Sequence, residues 1–135
     1  MFEITRDPLS VEEVIDKVKA DSSGAIVSFI GTVRNESMGK RVLYLEYDAY
    51  EPMAVKKLQE IAEEIKQKWD IDRVAIKHRI GRMDIGEVSV VIAISAPHRK
   101  DALEASGYTI DRIKEIVPIW KKEVWEDGET WIGKQ

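Results

Sequence analysis

Read from the N-terminus, the spacing of hydrophobic positions changes several times, and each change marks an element. Residues 1–5 (MFEIT) form a short run closed by Pro8, which fits an edge strand. From Leu9 to Ala20 the period becomes helical, with Val11, Val14, Ile15 and Val18 on one stripe. Ser10 supplies the N-cap, and Glu13 three residues later completes a capping box. The stretch GAIVSFIGTVRN (24–35) is apolar on both faces, the mark of a central strand covered twice. A polar loop, NESMGK, leads into a partly alternating strand over 41–50. The clearest helix runs over 51–70, where Val55, Leu58, Ile61, Ala62, Ile65 and Trp69 recur at helical spacing and Pro52 suits the first turn.

Residues 72–80 alternate again, with Val74, Ile76, His78 and Ile80 on one face. DIGE (84–87) turns the chain, and 88–96 returns with Val88, Val90, Ile92 and Ile94 on one face. A third helix spans 98–117. Pro118 ends it, because its ring would clash with the carbonyl of Lys114. IWKKEVW, the turn EDGE and TWI then read as a closing hairpin. No repeat, linker or low-complexity segment interrupts the order β-α-β-β-α-β-β-α-β-β. The pattern predicts one α+β domain over residues 1–135, an antiparallel sheet with three main helices largely on one side.

Composition removes several function classes. A formal net charge of -4 argues against general nucleic-acid binding, which needs a basic field. The chain has no cysteine, so no thiolate nucleophile, disulfide or persulfide resides on it. His78 and His98 lie far apart with no ligand spacing between them, which predicts no metal site. His78, on an apolar strand face, reads as a core histidine. No apolar run approaches the ~20 residues of a membrane span, and MFEITRDPLS resembles neither a signal nor a transit peptide, so the expected address is cytoplasmic. GTVRNESMGKR is not a phosphate loop, because its glycine spacing is wrong and Arg41 stands where Ser or Thr is required.

What remains is a set of cations at the ends of elements: Arg34 after the second strand, His98 and Arg99 where the third helix begins, Lys114 in its last turn, and Lys121 just beyond Pro118. Strand ends and helix starts are common places for binding groups. Each residue also has a structural reading. Lys114 complements the helix dipole, Lys121 and Lys122 guard a sheet edge, and Arg34 opens a loop. Strand alternation puts Ile119, Lys121, Glu123 and Trp125 on one face and Trp120, Lys122 and Val124 on the other, so only one of the adjacent lysines can point into a given pocket.

FIGTVRN, LEYDAYEPMA, HRIG, SAPHR and IKEIVPIWKKE followed by GETWIG occur in this order from Gly24 to Gly133. Together they resemble the large, catalytic subunit family of molybdopterin synthase. The resemblance implies an α/β hammerhead-like fold with an added antiparallel sheet. It implies a sulfurtransferase of molybdenum cofactor biosynthesis that needs no resident cofactor. The reaction would convert cyclic pyranopterin monophosphate (precursor Z) into the dithiolene, with sulfur arriving as a thiocarboxylate on the C-terminus of a small ubiquitin-like subunit. Two large subunits would form a dimer inside a heterotetramer. Carried over by position, Lys114 and Lys121 are the catalytic pair. Phe29, Thr32, Val33, Arg34, His98, Arg99, Lys114, Lys121, Lys122 and Glu123 are the substrate-binding set, with His98 and Arg99 serving the neighbouring subunit's site. Many members carry a further arginine where Gln135 stands here; Lys134 could replace its charge but not a bidentate grip.

The chemistry agrees with that resemblance. A sulfurtransferase without cysteine must receive its sulfur from another chain, and two anions meeting in one pocket need several cations. Two rival readings are a non-catalytic partner-binding module and a small anion-binding regulatory domain. The first predicts that alanine at Lys114 leaves function intact; the second predicts ligand binding without any ubiquitin-like partner.

Overall fold

The computed structural model describes the backbone of residues 1–134 and the side chains as far as residue 132. Lys134, expected to replace a missing arginine, and Gln135 therefore lie outside the described residues as side chains. The elements are β1 (Phe2–Thr5), α1 (Val11–Asp16), β2 (Ala25–Thr32), β3 (Glu36–Ser37), β4 (Lys40–Ala49), α2 (Glu51–Lys68), β5 (Arg73–Arg79), β6 (Gly81–Asp84), β7 (Val88–Ala96), α3 (Arg99–Ile116), β8 (Ile119–Trp125) and β9 (Gly128–Lys134). This is the expected α+β class with three helices.

The strands form two sheets. One has the order β1-β5-β7-β2; the other runs β3-β4-β8-β9, with β6 also paired to β4. The expectation of a single antiparallel sheet is corrected at β1, which lies parallel to β5. The expectation of helices largely on one side is corrected too. In the four-stranded sheet α1 packs on one face, where Val14 and Val18 meet Ala75, Val91 and Ala93. The other face carries Ile76, Ile92 and Ile94 into the main core with Leu58, Ile61 and Ile65 of α2 and Ile113 of α3. Small side chains on the first face let a short helix sit close; branched ones on the second fill the space beneath two long helices. Leu58, Ile61 and Ile65 are fully buried, and truncating any of them to alanine costs about 2–5 kcal/mol.

Local signals explain the helix ends. Ser10 Oγ accepts from the Glu13 amide at 3.3 Å, one half of the anticipated box, while the Glu13 carboxylate lies 3.6 Å from Lys77 Nζ. Val117, the C-cap of α3, is extended, as the residue before Pro118 should be. Glu64 joins α2 to the end of α3, accepting from Arg112 Nε and Nη2, both at 2.9 Å, and from the Tyr108 hydroxyl at 2.7 Å.

Strand β2 departs from its sequence reading. It is an edge strand, not a central one. Val27 and Phe29 face the α3 side. Ile26 and Ile30 face the α1 side and remain 40% and 42% exposed, because α1 has only six residues. Apolar character on both faces therefore does not mean that both faces are covered. The central strands are β5 and β7.

Candidate functional site

Two cavities meet where the sheets approach each other. The first, about 180 Å³, is bounded on its apolar side by Phe29, Val90, Ile92, Ile110 and Ile113 and on its polar side by Thr32, Tyr47, His78, Ser89 and Lys114. The second, about 90 Å³, is polar and holds Arg34, Lys121 and Glu123. Thr32 and Tyr47 line both. An apolar slot with a few convergent polar groups is the usual form of a binding site.

The elements place these groups for simple reasons. Phe29 and Gly31 lie on β2 against β7. A Cβ on Gly31 would sit 2.7 Å from Val90 Cγ1, so this approach requires glycine. The register shifts between Gly31 and Thr32, and Thr32 then turns into both cavities. Lys114 arrives from the last turn of α3. Pro118 stops that helix, and the chain returns as β8 with Lys121 paired across to Tyr47 of β4. Lys121 thus comes back toward Lys114 but lines the adjoining cavity, across the Thr32–Tyr47 wall.

Electrostatics ties the cations together. Burial lowers the pKa of Lys121 below the ordinary lysine value; the Glu123 carboxylate opposes this, and the charges of Arg34 and Lys114 reinforce it. Glu123 is a buried carboxylate whose Oε2 is 3.9 Å from Lys121 Nζ and whose Oε1 accepts from Trp125 Nε1 at 3.1 Å. At the floor of the first cavity the fully buried His78 ring meets Tyr47 edge-on, with centroids 5.1 Å apart. His78 Nδ1 lies 2.8 Å from the Arg79 carbonyl. Burial pushes the His78 pKa down to about 4, so the ring is neutral near pH 7. Burial likewise raises the pKa of Tyr47, which remains a phenol hydrogen-bonded to Ser89.

The expected site residues divide into four groups. Phe29, Thr32, Arg34, Lys114, Lys121 and Glu123 converge on the two cavities. Val33 does not: its side chain is buried in the core, its amide donates to Glu87 and its carbonyl accepts from Gly86. Lys122 lies on the opposite strand face, 3.0 Å from Glu46 and 3.7 Å from Glu129, as alternation required. His98 and Arg99 are exposed at the start of α3, about 22 Å along the helix from Lys114 at 1.5 Å per residue. Within one chain they stand apart from the lysine pair. Sequence reasoning missed Tyr47 and Ser89 and assigned His78 to the core alone. Their role as walls depends on strand register, which no local signal reveals. Among the described residues no group of three or more His, Asp or Glu side chains is placed to hold a metal ion.

Over nearly its whole length the chain is similar to known proteins. A family model described as MoaE protein matches residues 4–116. The molybdopterin synthase catalytic subunit of Bacillus subtilis is 60% identical over 134 residues, covering 99% of this chain and 85% of that one. Its counterpart in Halalkalibacterium halodurans is 59% identical, covering 99% and 86%. A crystal structure of molybdopterin synthase from Staphylococcus aureus superimposes with a TM-score of 0.93 at 50% identity, covering 98% of this chain and 96% of that one. With most of its length matched by the family model and near-complete relatives at this identity, the chain belongs to the MoaE protein family.

Proposed function

We propose that this chain is the catalytic subunit of a molybdopterin synthase, a sulfurtransferase that passes sulfur from the C-terminal thiocarboxylate of a small ubiquitin-like subunit to cyclic pyranopterin monophosphate. The observation that carries this reading is the convergence of Lys114, Arg34 and Lys121 on two adjoining cavities in a chain without cysteine. The apolar slot suits an extended chain end; the polar cavity suits a phosphate-bearing ring. Lys114 orients the thiocarboxylate and moves protons at its acyl oxygen and sulfur. Lys121, with Arg34, binds the substrate's negative charge and stabilises charge that develops during transfer. Residues 1–135 act as one unit in this reading, since a single core cluster joins both sheets.

The same reading supplies a place for His98 and Arg99. The free edge of β2 carries no charged residue, and such an edge invites pairing. A two-fold axis across it would run two β2 strands antiparallel, and with them the two α3 helices that pack on those strands. The start of one α3 would then lie beside the end of the other, bringing the second copy's His98 and Arg99 toward Lys114. The exposed Leu103 and Gly107 lie midway along α3, where such helices would cross.

The test combines the purified chain, cyclic pyranopterin monophosphate and a thiocarboxylated small subunit, with mass spectrometry for the dithiolene. Product that disappears in Lys114→Ala, while the small subunit still binds, is the expected result. Undiminished single-turnover rates in that variant would remove Lys114 from the mechanism. No product from the unaltered chain with fully thiocarboxylated partner would overturn the function itself.

A further inference from the structure

Tyr47 has no assigned part in the reading above, yet it occupies the junction of the site. It is 7% exposed and forms a wall of both cavities. Two contacts hold its side chain. The hydroxyl bonds to Ser89, and Ser89 Oγ in turn donates to the Gly31 carbonyl at 3.3 Å. The ring meets the edge of His78 at an interplanar angle of 69°. Across β4 its strand neighbours are Lys121 on one flank and Gly81 on the other. The neutral state of the buried His78 keeps that contact free of charge near pH 7.

We propose that Tyr47 is a partition residue: its ring stands between the sulfur-donor slot, apolar along its Phe29, Val90, Ile92 and Ile113 side, and the charged cavity of Arg34, Lys121 and Glu123, and so keeps water held by those charges from consuming the thiocarboxylate before its sulfur reaches the acceptor. The proposal rests on the sulfurtransferase reading. Charged side chains hold water, and Arg34, Lys121 and Glu123 gather on one side of the ring, whereas on the other the charge is that of Lys114 and the apolar side, Phe29, Val90, Ile92 and Ile113, offers water no partners. In the productive sequence the thiocarboxylate sulfur first bonds to an acceptor carbon as that carbon's bond to oxygen breaks, the oxygen leaving with the opened phosphate ring or as water. Water then adds to the acyl carbon, the acyl C–S bond breaks, and the tail leaves as carboxylate with the sulfur retained on the acceptor. If water reaches the acyl carbon first, the same C–S bond breaks, but sulfur departs as hydrosulfide and the tail is spent as carboxylate without product. Each route spends one water on the acyl carbon; they differ in whether the sulfur has already bonded to the acceptor when the acyl C–S bond breaks.

The measurement is coupling: dithiolene sulfur formed against hydrosulfide released, per thiocarboxylate consumed, with the complete mixture of both subunits and cyclic pyranopterin monophosphate. In Tyr47→Ala the two cavities merge, and most of the thiocarboxylate should end as hydrosulfide. Tyr47→Phe keeps the ring and should restore coupling to the unaltered level. Tyr47→Leu covers the case in which the alanine variant fails to fold, and should lie between the two. Unaltered coupling in both Tyr47→Ala and Tyr47→Leu, with product still forming, overturns the partition. Uncoupling in Tyr47→Phe equal to that in Tyr47→Ala overturns it as well, because the hydroxyl and not the ring would then be responsible. Failure of the sulfurtransferase reading is distinct: the unaltered chain would make no dithiolene at all.

Discussion

Protonating His78 should destabilise the fold in a pH window that the structure defines. The ring is fully buried, and its pKa falls from 6.5 to about 4 because burial penalises the charged form; the Arg79 carbonyl only partly offsets this. The sign follows from linkage. Below pH 6.5 the unfolded chain binds a proton that the native chain refuses, so stability falls as pH falls, until the native ring also titrates near 4. Each unit in that window is worth about 1.4 kcal/mol, which gives a loss of about 2 kcal/mol between pH 7 and pH 5 and about 3 kcal/mol by pH 4. Glu64, held down to about 2 by Arg112, loses its contribution only as pH falls below 4.5, so the interval from 7 to 5 isolates the histidine. Urea unfolding at pH 7, 6 and 5 on the unaltered chain and on His78→Gln would measure the effect. The variant should be less stable at pH 7 but should lack the component of pH dependence that belongs to His78. Equal slopes in the two proteins would refute the assignment of a neutral, desolvated His78.

Two further perturbations address the site and its rim. Because burial and the Arg34 and Lys114 charges lower the pKa of Lys121, the alkaline limb of the single-turnover rate should fall below the pH at which a solvated lysine titrates. Arg34→Ala should move that limb upward even as it slows the reaction; an unmoved limb would separate Lys121 from the titration. In the two-residue turn between β3 and β4, Met38 and Gly39 have φ of 54° and 76°, the signs that a type I′ turn requires at both central positions. Met38 is exposed and gains nothing from packing there, so Met38→Asn should stabilise the fold by about 0.5–1 kcal/mol in denaturant unfolding.

The sequence by itself determined the features that depend on local geometry. Helical spacing located α2 and α3, and Pro118 stopped α3 after Lys114 for a steric reason that operates within four residues. Alternation separated Lys121 from Lys122 correctly, since side chains on one strand must point to opposite faces. Its limits show at β2 and β6. The apolar faces of β2 suggested a doubly covered strand, but a residue's hydrophobicity does not say whether a helix is long enough to lie over it. Gly81–Asp84 has no strand pattern of its own and becomes β6 through pairing with Tyr44–Tyr47. Only tertiary structure set Tyr47 opposite Lys121, placed His78 and Ser89 against its ring, and left His98 and Arg99 at the far end of α3. Register and sheet order arise from contacts between segments distant in sequence. The walls of the site are therefore decided by how the sheets meet, while the cations that enter it were already visible along the chain.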